Sequence, residues 1–236
     1  MAEETSAKRH HGETSNKSSK LADVHVPAEK CEYTKTLTGV ELHGKETLEI
    51  VCTSEPEKAD EMISRLWRKV GGSYRKIIGL GLGIEELCLV YHIAAATKWP
   101  KHLKEFLSEE KLYTFTGFSI EGDKRMLNKS GLEINPNNFI DMQRKWNVPT
   151  NNKFYDSLAD VAGSVIHPFY KSMKKKIDME EDHKLWGISL LADKLIEYAG
   201  VDAYAMYKSW KIIDNIVIGW DISKEQEADP YYHYNF

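Results

Sequence analysis

Lys76-Ile-Ile-Gly-Leu-Gly-Leu-Gly83-Ile-Glu-Glu-Leu87-Cys-Leu-Val-Tyr-His-Ile93 is the stretch on which the fold of this chain turns. Lys76 to Leu80 and Leu87 to Ile93 are apolar and rich in β-branched residues, so each reads as a buried strand. Only Gly83-Ile-Glu-Glu separates the second run from the glycine-rich end of the first. A parallel crossover takes about a dozen residues. Either the two runs pair as a hairpin, or the glycine run is irregular and the sheet is short by a strand.

Working outward, Val40-Glu-Leu-His and Leu48-Glu-Ile-Val-Cys alternate with period two around Gly44-Lys-Glu, which predicts a hairpin. Order is expected to begin near Tyr33. A helix follows, with Ser54 and Glu57 spaced as a capping box, Gly71 as its stop, and Ala59, Met62, Ile63, Leu66, Trp67 and Val70 along one stripe. Downstream, Lys101 to Glu110 reads as a short helix and Tyr113 to Ile120 as a strand. Asp123 to Ser130 reads as a helix ending at Gly131, and Phe139-Ile-Asp141 as a short strand. The apolar stripe from Leu158 to Phe169 is helical but broken near Pro168. The longest helix is expected from about Leu191 to Ile213. Strands leading and helices following predict an α/β domain with a mixed sheet.

The chain has 236 residues, with 32 Lys and Arg against 36 Asp and Glu, for a formal charge of −4. A slightly acidic balance argues against a wholesale nucleic-acid coat. Cys31, Cys52 and Cys88 are odd in number and widely spaced, so they suggest neither a disulfide framework nor a zinc pattern. The His residues show no ligand grouping either. Residues 1–32 are polar, with little aliphatic matter beyond Leu21, Val24 and Val26, and are expected to be a disordered tail. The domain is expected over 33–214, with a C-terminal tail over 215–236. Without a long apolar run or an apolar leader, the reading is an intracellular protein of nucleus or cytoplasm, not a membrane protein. Lys171, Lys174, Lys175 and Lys176 are followed by Asp178, Glu180, Glu181 and Asp182, which makes a solvated segment a better reading than a phosphate-binding patch.

Two places carry chemistry. Tyr198 and Asp202 are four apart and share a face of the long helix, and Asp202 falls inside its apolar arc. A carboxylate there must be paired, bound to metal or facing a cleft. Asp123 lies just past a buried strand where a helix begins, and taken alone it reads as a helix cap.

Together, Tyr113-Thr-Phe-Thr-Gly-Phe-Ser-Ile-Glu-Gly-Asp123, Trp186 and Tyr198-Ala-Gly-Val-Asp202-Ala-Tyr resemble the second and third motifs of the Werner-syndrome-type 3′–5′ exonuclease domain. That is the DEDDy branch of the RNase H-like fold, and the resemblance is to its plant members, over roughly Leu48 to Ile213. Where the family often has Gln before the motif Tyr, Leu195 stands here. The resemblance implies an RNase H-like mixed β-sheet flanked by helices, DNA or RNA as partner, and phosphodiester hydrolysis by two cations, Mg²⁺ or Mn²⁺. It implies that Asp123 and Asp202 hold metal and that Tyr198 orients the attacking water, making these three the candidate catalytic residues.

The family's first motif, Asp-x-Glu on the leading strand, falls on Gly81 and Gly83, which have no ligand atoms. Glu85 and Glu86 come too late to substitute, since a one-residue slip already reverses the strand face. The family also places an antiparallel strand between the motif strand and the one resembling Leu87 to Ile93, so the sheet is expected to be shortened. The same glycines resemble a dinucleotide-binding turn, but Ile84 stands at the sixth position and a strand-like run follows, which argues against it. The expectation is an exonuclease-family nucleic-acid-binding domain, weakly active or inactive. The alternative is a noncatalytic binding or interaction protein on that scaffold, pairing with an intact homologue.

Overall fold

The computed structural model describes residues 30–69, 76–79, 83–84, 86–108, 113–132, 139–146, 153–176, 181–188 and 190–228. Gly71, Gly81, Glu85, nearly all of the expected N-terminal tail (1–29) and the end of the expected C-terminal tail (229–236) lie outside them.

The strands are β1 (Thr34–Glu41), β2 (Thr47–Thr53), β3 (Lys76–Gly79), β4 (Gly83–Ile84), β5 (Leu87–Tyr91), β6 (Tyr113–Gly117) and β7 (Phe139–Asp141). The helices are α1 (Pro56–Lys69), α2 (Lys101–Ser108), α3 (Glu121–Lys129), α4 (Met142–Lys145), α5 (Leu158–Val165) and α6 (Asp193–Ala228). Two 3-10 segments, Pro168–Lys176 and Asp182–Gly187, lie between α5 and α6. The mixed α/β reading therefore holds, with a sheet ordered β1-β2-β5-β4-β3-β6-β7 among the described residues.

The link between Ile78 and Leu87 is resolved in a way that neither expected alternative covers. The intervening strand is not lost; it survives as the two residues of β4. Gly83 pairs antiparallel with Gly79 on one side and with Cys88 on the other, while Ile84 pairs with Leu87. An antiparallel strand between them lets β3 and β5 run in the same direction without a crossover. On the outer sides β2 runs parallel to β5, and β6 and β7 run parallel to β3.

Alternation along β2 sends Leu48, Ile50 and Cys52 to one face and Val51 to the other. The first face packs under α5, α6 and the Pro168–Lys176 segment, through Leu158, Ala162, Tyr170, Leu195, Ile196 and Ala203. The second packs under α1 and α2, through Ala59, Met62, Ile63, Leu66, Leu103 and Phe106. Tyr207 comes from α6 yet joins this second cluster. It also lines a cleft with Thr47 and Glu86, at the starts of β2 and β5.

Some sequence expectations are corrected. Ser54 does not cap α1: its hydroxyl donates to the Cys31 carbonyl at 3.2 Å and accepts the Tyr33 amide at 2.8 Å. The Thr53 hydroxyl instead accepts the Glu55 amide at 3.0 Å, ahead of Pro56 at the first helical position. The strand expected to reach Ile120 ends at Gly117, because Ser119 takes a left-handed φ of 57° and turns the chain. The last helix continues well past Ile213, to Ala228. The break at Pro168 is present: Ser157 caps α5 and the 3-10 segment starts at the proline. No helix among the described residues is long and apolar enough to cross a membrane.

Candidate functional site

Tyr198 and Asp202 meet as their spacing requires. The Tyr198 phenol and the Asp202 carboxylate interact: burial first, then the charge and hydrogen bonding of Asp202, raise the pKa of the phenol. The phenol therefore keeps its proton and donates. The pair stands in the wall of a small open pocket, lined also by Glu41, Phe169, Met173 and Val201. Lys194 and Glu197 come from the same helix face as Tyr198, Val201 and Asp202, so one side of α6 builds most of the polar wall. Lys194 is held by Asp182 at 2.6 Å. The carboxylate on the apolar arc thus has the two fates expected of it: a partner and a cleft.

What keeps this wall against the sheet is a close approach. Gly200 lies between the two site residues and faces Ile50 of β2, leaving no space for a side chain. The apolar side of the same turns, Leu195, Ile196, Val201 and Ala203, is buried in the cluster beneath.

Asp123 lies elsewhere. It sits in the first turn of α3, but the N-cap position is Ile120 and no side chain caps the helix, so Asp123 is not the cap that its position suggests. It is also not among the residues lining the Tyr198–Asp202 pocket. The acid whose field reaches it is Asp141: burial, and secondly the Asp141 charge, raise the Asp123 carboxyl above its ordinary value.

Asp141 is the residue that sequence reasoning missed. Its Oδ1 accepts the Ser119 amide at 3.0 Å and the Gln143 amide at 3.0 Å, and its Oδ2 accepts the Ile120 amide at 3.4 Å. It caps α4 and, across the sheet, fixes the left-handed turn that delivers Asp123. An acid at a strand end ahead of a short helix is an N-cap signal, and it was legible at Asp141. Its second task depends on β6 and β7 being neighbours.

Of the first motif, Gly83 is described, and it stands on β4, not on β3. Glu86 opens β5 and lines the cleft with Thr47, Tyr204 and Lys208, away from the Asp202 pocket. Trp186 is half-buried against the cluster that holds Tyr198, and its carbonyl bonds His92 Nε2 at 3.0 Å. Among the described residues no group of three or more His, Cys, Asp or Glu side chains is gathered as a metal site. Neither a scan against protein-family models nor a search of curated proteins finds a match to the chain.

Proposed function

We propose that the chain is a 3′–5′ exonuclease-family nucleic-acid-binding domain whose hydrolysis is weak or lost. The observation that carries this reading is the Tyr198–Asp202 pair on one face of α6, lining an open pocket. The strand arrangement supports it: a meander β3-β4-β5 with an antiparallel middle strand, and two more strands parallel to β3 beyond it, is what the RNase H-like resemblance implies.

The donor set does not fit a two-metal centre. Such a centre needs a carboxylate bridging both ions, and glycine stands both at 81, where the resemblance puts the bridging Asp, and at 83, where it puts the Glu. Asp141, the acid beside Asp123, has both oxygens committed to backbone amides. Hydrolysis through a metal pair is therefore not part of the reading. Restoring acids does not rebuild it either: Gly81→Asp with Gly83→Glu places the second carboxylate on β4, which runs against β3.

The test incubates purified protein with 3′-recessed labelled DNA or single-stranded RNA, with Mg²⁺ or Mn²⁺, beside an Asp202→Ala control. The expected result is salt-sensitive binding with little or no laddering, unchanged by the Gly81→Asp/Gly83→Glu replacement. Strong laddering that vanishes in the control would show a working nuclease. The absence of both binding and laddering would sink the nucleic-acid reading itself.

A further inference from the structure

Tyr33, just before β1, is the hub of a buried chain of hydrogen bonds whose proton directions can be assigned. The Trp186 carbonyl only accepts, so His92 Nε2, 3.0 Å away, must carry a hydrogen and donate it. A neutral ring then has its lone pair at Nδ1, and the Tyr33 hydroxyl 2.9 Å away donates to it. The Tyr33 oxygen in turn accepts the Leu191 amide at 3.3 Å, and the Cys52 Sγ lies 3.5 Å from it. Leu191 is two residues ahead of α6, and it is buried. The tyrosine and imidazole rings stand edge to face with centroids 5.8 Å apart.

This wiring works only while the imidazole is neutral. The groups facing it are Tyr33 ahead of β1, the Trp186 carbonyl from the Asp182–Gly187 segment and, through Tyr33, Cys52 of β2 and the Leu191 amide. No carboxylate is among these contacts, so a proton would place an uncompensated charge on a side chain only 5% exposed. It would also turn Nδ1 from acceptor to donor and reverse the Tyr33 bond. Burial accordingly holds His92 below its ordinary titration range, with the Trp186 bond opposing.

We propose that Tyr33 and His92 form an acid-released latch on the start of α6, and so on the helix face that carries Tyr198 and Asp202. Below the ordinary histidine range a proton favours the open arrangement, in which the ring reaches water and the Leu191 amide loses its acceptor. Two ion pairs hold the same helix start, Lys35–Asp193 and Lys194–Asp182. They do not involve His92, and a variant separates them. The inference concerns the start of α6 and stands whether or not the pocket binds nucleic acid.

Hydrogen exchange at the Leu191 amide, corrected for intrinsic rates and followed from pH 7.5 to 5, provides the test. Below the ordinary imidazole range of about 6.5, opening should rise up to about tenfold per pH unit. His92→Gln keeps a donor for the Trp186 carbonyl and cannot take the proton, so it should flatten that rise. Tyr33→Phe should speed exchange of Leu191 at pH 7.5 and remove the acid step. Far-ultraviolet circular dichroism at each pH checks that both variants stay folded. If either variant unfolds, the pH profile of Leu191 in the unaltered chain decides alone. An acid rise persisting in folded His92→Gln, a flat profile in the unaltered chain, or unchanged Leu191 exchange in folded Tyr33→Phe would each overturn the latch.

Discussion

A methyl group at position 200 of α6 would lie 2.3 Å from Cδ1 and 2.6 Å from Cγ1 of Ile50 on β2. The helix that carries Tyr198 and Asp202 is therefore seated on the sheet at near-backbone distance. Gly200→Ala should lift or tilt it, at a cost of about 1–3 kcal/mol typical of overpacking. Ile50→Val removes one of the two clashing carbons, so the double variant should recover part of the loss. A double-mutant cycle from urea denaturation measures the coupling, and strictly additive losses would contradict the close seat.

Asp141 supports two elements with one carboxylate. Asp141→Ala should cost about 2 kcal/mol, since it removes a cap and leaves backbone donors without their charged acceptor. Ser119→Gly should act in the opposite sense and gain about 1 kcal/mol, because the turn holds φ at 57° and glycine bears that conformation without strain. Denaturation midpoints of the two variants check both signs.

The Asp123 carboxyl titrates above its ordinary value, so the folded chain binds its proton more readily than the unfolded chain does. Its contribution favours folding below the unfolded-state pKa and is lost as pH rises through the folded one. At pH 7 the group is therefore a mild liability. Asp123→Asn should raise stability at neutral pH, with the gain shrinking as pH falls toward the carboxylate range. Carbon-detected NMR of the Asp123 carboxyl in Asp141→Asn should show a lower pKa, because the neighbouring charge is gone.

Tyr207 reaches from α6 into the cluster under α1 and α2 and is buried there. Tyr207→Ala should cost about 3–5 kcal/mol, as for other large buried aromatics. Tyr207→Phe should cost far less, because among the described residues the hydroxyl's hydrogen bond is a long one, from Lys211 at 3.4 Å. A loss in Tyr207→Phe as large as in Tyr207→Ala would show that the hydroxyl, rather than the ring, is what matters.

The elements with a clear period were legible in the sequence. β2 alternates, α1 keeps its stripe, and Tyr198 and Asp202 share a helix face because residues four apart always do. The failures have physical causes. β4 is two residues long, too short to display any period, so only the sheet around it reveals it. Ser54 reads as a cap locally, but Tyr33 and Cys31 claim its hydroxyl from across the fold. Asp123 reads as a cap because nothing nearby shows that Asp141, on another strand, already holds the turn. The end of α6 was missed because no proline interrupts the run after Ile213, and Gly219 alone does not break the helix.

The two-residue β4 also bears on how the domain holds together under load. On one side of it stand β1, β2 and β5; on the other, β3, β6 and β7. The backbone ladder joining these halves is a hinge-thin seam. The element that touches both sides at length is α6, which contacts β1, β2 and β5 as well as β3 and β6. Cohesion between the halves thus passes from the sheet to its two faces: α6 on one, and on the other the cluster under α1 and α2, which gathers Val51, Leu87 and Leu89 with Phe115. Pulling or denaturing this chain should part it along the seam once these helices let go, as two separately yielding blocks rather than as a single sheet.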